Sequence, residues 1–294
     1  QGHMDFQSIA LPTELRHQSH NCGCKYILIF IIRQKKINKK WFCKFTTFKC
    51  DMNLIIDVGN SFVKFAVFQE DEILYLNSVE ENLFVNELEI ILQKHPEIDK
   101  CIISSVGNLN KIALKRLKHR LKVVVLNSAT EMPFRNLYKT PKTLGVDRLA
   151  LVSGVVKQFP DKNALIIDAG TCITYDFITE KKSYLGGAIS PGIRMRYKSL
   201  NNLTANLPLL ETNLPENVIG NTTESAIHSG VVFGVLSEID GAISHYQQKY
   251  SDLTVILTGG DANFLSKQLK SSIFANSNFL LLGLNHILQI NKIE

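Results

Sequence analysis

The stretch "LIIDVGNSFVKFAVF", residues 54–68, has a near-copy in "LIIDAGTCITYDFIT", residues 165–179. Each copy is an apolar run that ends in Asp, a small residue and Gly, and a second apolar run follows at once. This pattern predicts two strands joined by a tight turn. Because the unit occurs twice, the sequence predicts a duplicated lobe with an Asp at the end of each first strand.

The chain from Met52 onward alternates between strand-like and helix-like segments. The strand-like segments include "KCIISSV", "KVVVLN", "KSYLGGAI" and "VILTGG", and the helix-like ones are "FVNELEIILQKH", "IALKRLKHRL", "DRLALVSGVVKQF" and "TESAIHSGVVFGVLSEIDGAISHYQQKY". Such alternation predicts an α/β fold of two similar lobes, 52–160 and 161–294, with a cleft between them. The glycines and proline of "GGAISPG" predict a rigid loop that closes this cleft.

Charge and composition narrow the class of function. The first 51 residues carry the whole net charge of +6, so the remainder sums to zero and lacks the basic surplus of nucleic-acid-binding proteins. No apolar run is long enough to span a bilayer. These features predict a soluble protein that binds a small molecule, and neither nucleic acid nor a membrane. Cys101 and Cys172 lie next to apolar strands in a chain with no export signal, which predicts a reducing compartment, the cytoplasm.

Residues 1–51 differ from the rest of the chain. They hold four of the six cysteines and the basic tract "RQKKINKK", without a sustained helical or strand period. The sequence predicts that 1–51 is a disordered extension of cloning or upstream origin, and that Met52 is the natural start.

The two turns carry groups suited to a polyanion held across the cleft. Gly59 and Gly170 allow a tight backbone whose N–H groups point at phosphate oxygens, and Asp57 and Asp168 can hold cations beside them. Side-chain donors follow in Asn60, Ser61 and Thr171. Neither a Walker loop nor a Rossmann glycine motif is present. One copy alone would indicate only an ordinary hairpin turn, because Asp and Gly are common in such turns. The presence of two copies favours phosphate binding.

At these residues the sequence resembles the ASKHA superfamily of acetate and sugar kinases, Hsp70 and actin, and within it the type III pantothenate kinases. The resemblance covers essentially all of 52–294. The motifs that carry it are "DVGNSFVK" (57–64), "YKTPKTLGVDR" (138–148), "DAGTCITYD" (168–176), "GGAISPG" (186–192), "NTTESAIHSG" (221–230) and "TGGDA" (258–262). It implies actin-like, ribonuclease H-like lobes and transfer of the γ-phosphoryl group of ATP to pantothenate, giving 4′-phosphopantothenate for coenzyme A synthesis.

The resemblance also implies roles for individual residues. Asp147 corresponds to the catalytic aspartate that accepts the hydroxyl proton. The expected pantothenate contacts are Tyr138, Gly145, Val146, Asp147, Arg148 and Thr223, and the expected ATP contacts are Asp57, Val58, Gly59, Asn60, Ser61, Phe62, Val63, Lys64 and Thr171.

The sequence also allows purely structural roles for three of these residues. Asp147 could cap the helix that follows it, Arg148 could form a surface ion pair, and Thr223 could be a helix N-cap. Thr222 competes with Thr223 for the pantothenate contact.

The resemblance further implies two cations and a partner chain. Asp57 would hold Mg²⁺ through water and Asp168 a monovalent cation, K⁺ or NH₄⁺. Members of the family are homodimers with active sites at the interface. The competing interpretation is a catalytically silent regulatory or nucleotide-sensing relative of the same fold, and the joint presence of Asp57, Lys64, Asp147, Arg148 and Asp168 favours the kinase.

Overall fold

The computed structural model describes residues 51–59, 62–105 and 111–291, without the side chains of 111–113. The chain is divided at Asp51, and Met52–Glu294 forms one compact unit. All elements below belong to this unit. The predicted disorder of 1–51 concerns residues that, apart from Asp51, lie outside the described ones.

The first sheet has five strands in the order β3-β2-β1-β4-β5. They are β1 (Met52–Val58), β2 (Val63–Gln69), β3 (Glu72–Val79), β4 (Lys100–Ser105) and β5 (Lys122–Val125). The first three are antiparallel to one another, and β4 and β5 run parallel to β1. Helices α1 (Phe84–Lys94) and α2 (Lys111–Arg120) make the crossovers that parallel strands require.

The second sheet repeats this order. Its strands are β6 (Arg135–Asn136), β7 (Asn163–Ala169), β8 (Cys172–Ile178), β9 (Ser183–Pro191), β10 (Leu253–Thr258) and β11 (Phe274–Ala275). Strands β9-β8-β7-β10-β11 match β3-β2-β1-β4-β5 in position and direction, and β6 is added at the β9 edge. The predicted α/β fold with duplicated ribonuclease H-like lobes is therefore confirmed.

Among the described residues, six α-helices accompany the second sheet. They are α3 (Val146–Gln158), α4 (Ile193–Asn202), α5 (Thr223–His228), α6 (Gly234–Lys249), α7 (Ala262–Leu265) and α8 (Phe279–Ile290), with a π-helical turn, Ser229–Phe233, between α5 and α6. Helices α1 and α2 cover the outer face of the first sheet, and α4 to α7 cover that of the second. Helices α3 and α8 lie between the two inner faces.

One helical stretch, Thr223–Lys249, is long and apolar enough to cross a membrane by length and composition alone. Its inward residues, among them Val231, Val235 and Ile239, are buried against the second sheet. A helix that covers a sheet in the core of a protein is equally apolar, because it buries one face against the sheet.

The period of two along a strand decides which side chains face the cleft. In β1, Leu54, Ile56 and Val58 join the outer core, whereas Ile55 packs on the inner side against α8. In β7, Leu165 and Ile167 likewise face outward, and Ile166 faces α3. Asp57 and Asp168 share the parity of Ile55 and Ile166, so both carboxylates lie on inner faces.

Two glycines allow α3 and α8 to cross at close range. A Cβ on Gly283 would lie 1.8 Å from the Ala150 carbonyl oxygen, and one on Gly154 would lie 3.1 Å from the Phe279 ring. Leu284 and Ile287 of α8 are fully buried, and each such side chain contributes about 1.5–3 kcal/mol. The sequence-based prediction missed α8.

The predicted loop "GGAISPG" is wrong. Residues 183–191 form β9, which pairs antiparallel with β8 as far as Pro191. The glycines serve close approach within the sheet, because a Cβ on Gly187 would lie 1.5 Å from the Tyr175 carbonyl oxygen. Gly192 then precedes α4 and packs against the turn at Gly170 and Thr171.

Candidate active site

A row of polar side chains crosses the inner face of the first sheet at the carboxyl end of β1. Asp57 is in register with Lys64 on β2 and with Ser104 on β4. Neighbours in register point to the same face, so a cation and a hydroxyl flank the carboxylate. The Ser104 side chain is fully buried, and its hydroxyl completes no hydrogen bond among the described residues. The Asp57 carboxylate, in register with Ser104, is the acceptor available to this hydroxyl.

The second sheet repeats this row. Asp168 is in register with Thr174 on β8 and with Thr258 on β10. Thr258 is 1% exposed, and the buried Thr174 hydroxyl has no hydrogen-bond partner within the described part of the chain. Each lobe thus presents a carboxylate beside buried hydroxyl groups at the edge where its central strands end.

Helix α3 brings a third carboxylate between the two rows. Gly145 is its N-cap and Asp147 lies in its first turn. The Asp147 Oδ1 atom accepts a hydrogen bond of 2.8 Å from the Arg148 backbone N–H. A Cβ on Gly145 would lie 2.4 Å from that oxygen, so a larger residue there would displace the carboxylate from this position. The reading of Asp147 as the N-cap is wrong, although its charge suits the positive end of the helix.

The pKa shifts show that these carboxylates interact. Burial raises the pKa of Asp57 to about 6 and is opposed by Lys64 and the Ser104 hydroxyl, while the Asp147 charge adds to the rise. Burial also raises the pKa of Asp168 to about 7, with further contributions from the charges of Asp147 and Asp57. The cleft therefore concentrates negative charge that a bound cation would stabilise.

Each hairpin turn is closed by a hydrogen bond from its glycine. The Gly59 N–H donates to the Phe62 carbonyl at 3.1 Å, and the Gly170 N–H donates to the Cys172 carbonyl at 3.0 Å. Both glycine N–H groups are used inside their turns, and the phosphate contacts of the turns stay a prediction. Phe62 and Thr171 are exposed at the turns, and Asn60 and Ser61 lie outside the described residues.

Arg148 is paired within the protein, and the reading of a surface ion pair is wrong. Its Nε lies 2.8 and 3.1 Å from the two carboxylate oxygens of Asp176, and its Nη2 lies 2.7 Å from Oδ1. Arg148 is 5% exposed and Asp176 is fully buried. Tyr138 lies beside the pair, with its ring centroid 5.6 Å from the Arg148 Cζ. Three predicted pantothenate contacts, Tyr138, Asp147 and Arg148, are thus neighbours, and Gly145 and Val146 join them at the start of α3.

Thr222, rather than Thr223, is the N-cap of α5. Its hydroxyl accepts a hydrogen bond from the Ser225 N–H at 3.1 Å, and the Ser225 hydroxyl accepts one from the Thr222 N–H at 2.9 Å, which together form a capping box. Thr223 is exposed in the first turn of the helix and makes no hydrogen bond to the Arg148 cluster among the described residues. The cap uses Thr222, and the pantothenate contact of Thr223 stays a prediction.

Comparison with known proteins assigns the family. A sequence profile described as type III pantothenate kinase matches residues 53–245. A curated type III pantothenate kinase from Christiangramia forsetii is 51% identical over 243 residues, covering 83% of this chain and 100% of that one. The chain belongs to the type III pantothenate kinase family. A type III pantothenate kinase from Bacteroides fragilis is 44% identical over 247 residues, covering 82% and 99% of the two chains.

A solved structure supports the same fold. The structure described as a conserved putative Baf family transcriptional activator from Campylobacter jejuni superposes with a TM-score of 0.53 at 22% identity, covering 80% of this chain and 97% of that one. At this identity the likeness concerns the fold alone.

The residues at the cleft fit the cations expected of a type III pantothenate kinase. No cluster of three or more His, Cys, Asp or Glu side chains that could hold a metal occurs within the described ranges. Mg²⁺ at nucleotide sites keeps several waters and needs only one or two carboxylates, so a single Asp57 suffices. Asp168 with the unpartnered Thr174 hydroxyl offers the oxygen donors that a monovalent cation prefers.

Sequence reasoning missed three residues of this type III pantothenate kinase site. Ser104 ends a strand-like segment at the position equivalent to Thr258, and Asp176 is a charged residue at an inner-face position of an otherwise apolar strand. Gly259 has φ of 95°, and a Cβ there would lie 2.4 Å from the Asp168 Oδ1 atom. Asp176 and Gly259 lie inside the motifs 168–176 and 258–262, which gave them no role, and no motif included Ser104.

The raised pKa of Asp168 predicts a pH dependence for the cation-free protein. Folding raises this pKa from 3.8 to about 7, so the folded state holds more protons than the unfolded state between these pH values. The contribution of Asp168 to stability therefore falls as pH rises through that window. We expect urea unfolding in choline buffers to show lower stability at pH 8 than at pH 5, and Asp168→Asn to recover on the order of 2 kcal/mol at pH 8.

The exposed Asp252, whose partner is Lys162, provides the control for this measurement. Asp252→Asn should leave the pH slope of the wild type unchanged. If Asp168→Asn kept the pH slope of the wild type without cations, the assignment would be contradicted.

Proposed function

We infer that this protein transfers the γ-phosphoryl group of ATP to the primary hydroxyl of pantothenate, forming 4′-phosphopantothenate for coenzyme A synthesis. The observation that carries the inference is the convergence of Asp57, Asp147 and Asp168 from two duplicated hairpins and the start of α3. Two facing acidic turns suit a cation-bound polyphosphate, and the family match supplies the acceptor.

Asp147 accepts the proton of the pantothenate hydroxyl and orients that hydroxyl toward the phosphoryl group. In a loose transition state the nucleophile carries little charge early, so orientation is the larger part of this role. The hydrogen bond from the Arg148 N–H and the glycine beneath the carboxylate hold Asp147 in one place.

Asp57 and Asp168 hold cations, and Lys64 adds a fixed positive charge beside Asp57. When bound, Mg²⁺ and a monovalent cation, K⁺ or NH₄⁺, neutralise phosphate charge. The ATP contacts are those of the first hairpin, residues 57–64, together with Thr171. The acceptor contacts are Tyr138, the turn 145–148 and Thr223.

The active form is a homodimer with its active sites at the interface. Leu203, Val218 and Ile219 are 83%, 72% and 86% exposed, and they lie between α4 and the helix that carries Thr223. A second copy on this segment would remove the apolar side chains from water. The enzyme works in the cytoplasm, and the free thiols of Cys101 and Cys172 suit a reducing compartment.

The test is an ADP-release assay with pantothenate and Mg²⁺-ATP, run in K⁺ and again with Na⁺ in its place. We expect ADP release to require pantothenate and to be much faster in K⁺, and sedimentation equilibrium on the same sample to give twice the chain mass. No release in either salt from folded protein would instead favour the regulatory relative. Equal rates in K⁺ and Na⁺ would refute the monovalent cation site, and the mass of one chain would refute the dimer.

A further inference from the structure

Asp176 is a fully buried carboxylate that the proposed mechanism does not use. It lies on β8, and three groups converge on it. The Arg148 Nε donates at 2.8 Å to Oδ1, the Nη2 of the same guanidinium lies 2.7 Å from Oδ1, and the Tyr184 hydroxyl donates at 2.6 Å to Oδ1. Burying an anion is costly unless its hydrogen bonds are satisfied, and here arginine and tyrosine satisfy them.

The geometry fixes which edge of the guanidinium is left for a ligand. Arginine carries its five N–H donors in a planar fork, and Asp176 takes the edge formed by Nε and Nη2. The second edge, formed by Nη1 and Nη2, faces away from Asp176. Nη2 is itself buried, and its N–H bonds are aligned on no acceptor among the described residues. A carboxylate ligand fits such an edge with two parallel hydrogen bonds.

Two stacked tyrosines lie beside the ion pair of Arg148 and Asp176. Tyr184 is fully buried, and Tyr138 stacks on it with ring centroids 6.2 Å apart and 21° between the planes. A Cβ on Gly186 would lie 2.9 Å from the Tyr138 ring, so this glycine lets Tyr138 approach. Tyr184 therefore contacts both Asp176 and Tyr138, and the two expected acceptor contacts, Arg148 and Tyr138, have a common support.

We propose that Asp176 is a positioning residue for the acceptor substrate, which holds Arg148 so that its free edge meets the carboxylate of pantothenate. The proposal rests on the proposed function, because it assumes that Arg148 binds this acceptor. Asp176 does not touch the reacting atoms. It acts through Arg148, and Tyr184 fixes the Asp176 carboxylate in turn.

Steady-state kinetics with pantothenate and ATP varied separately test the proposal. Asp176→Asn removes the charge-assisted hydrogen bonds, and we expect the KM for pantothenate to rise about tenfold or more while the KM for ATP stays within about twofold. Tyr184→Phe keeps the ion pair and loses one hydroxyl, and we expect a rise of roughly threefold in the same KM. If Asp176→Asn does not fold, Tyr184→Phe tests the proposal on its own.

The Arg148→Met background separates positioning from general support of the fold. If Asp176 works through Arg148, adding Asp176→Asn to Arg148→Met should change the KM for pantothenate no further. The matched control is Tyr75→Phe, which removes a hydroxyl bonded to the Glu87 carboxylate on the outer side of the first sheet, and its kinetics should equal those of the wild type.

Three results would overturn the proposal. One is a fall in the KM for pantothenate, which would mean that Asp176 merely shields the Arg148 charge. Another is an equal rise in both KM values for Tyr184→Phe, and the third is an effect of Asp176→Asn that persists in Arg148→Met. A wild-type enzyme inactive on pantothenate would instead refute the proposed function, which the wild-type assay shows before any variant is made.

Discussion

Asp147→Asn is expected to lower kcat by about 100-fold or more, because an amide cannot accept the hydroxyl proton that the carboxylate takes. Asparagine keeps the size of the side chain, and its Oδ1 can still accept the Arg148 N–H, so α3 should begin as before. Loss of the Asp147 charge also removes one contribution that raises the pKa of Asp57 and Asp168. Cation and ATP binding should therefore be kept or slightly strengthened.

The measurement is kcat for the variant, together with the affinity for Mg²⁺-ATP by calorimetry and the midpoint of thermal unfolding. The matched control is Asp252→Asn, just before β10 and at the far end of that strand from Thr258, where the side chain is 75% exposed. The control should show wild-type kcat. If Asp147→Asn turned over at a near-normal rate, Asp147 would not be the base.

Gly283→Ala is expected to destabilise the protein by more than about 3 kcal/mol, because the added methyl group overlaps a backbone atom that has nowhere to move. The Cβ would lie 1.8 Å from the Ala150 carbonyl oxygen and 3.0 Å from the Gly154 nitrogen. Relief requires α3 and α8 to separate, and both helices pack on both sheets. Thermal unfolding should show a fall in Tm of roughly 10 °C.

Gly241→Ala is the matched control, since Gly241 also lies inside a helix but a Cβ there meets nothing within 4 Å. Alanine favours the helix and restricts the unfolded chain, so this variant should be more stable by about 0.5–1 kcal/mol. Equal stability of the two variants would show that α3 and α8 are not packed as closely at Gly283 as the structure indicates.

The duplicated lobes and their two aspartates were predictable from the sequence because both depend on local pattern. The period of two places residues 55 and 57 on one face, and the repeat at 165–179 carries the same parity to Asp168. The neighbours of the aspartates were not predictable in this way. Which strand lies beside β1, and therefore that Ser104 faces Asp57, depends on the order of strands in the sheet.

Other features depended on contacts that no local signal encodes. The ion pair of Arg148 with Asp176 joins the start of a helix to a strand 28 residues later. The arginine points inward because tertiary packing buries both side chains together, which no local sequence pattern indicates. The cap of α5 was missed by one residue because Thr222 and Thr223 have the same hydroxyl, and only the reciprocal bond with Ser225 separates them. The first part of β9 was predicted as a strand, but residues 186–191 were also taken for a loop, because the glycines there serve close packing within the sheet.

The position of α8 has a consequence for the order in which the chain is made. Asn53, in the first strand, donates to Asn285, in the last helix, at 2.8 Å, and Asn285 donates to the Glu70 carbonyl at 2.7 Å. Ile55, Phe68 and Ile102 of the first sheet are covered by Leu281 and other residues of α8. A ribosome-bound chain that has not yet released Phe279–Ile290 keeps that apolar face uncovered. The first lobe to be synthesised is therefore among the last parts of the enzyme to be completed.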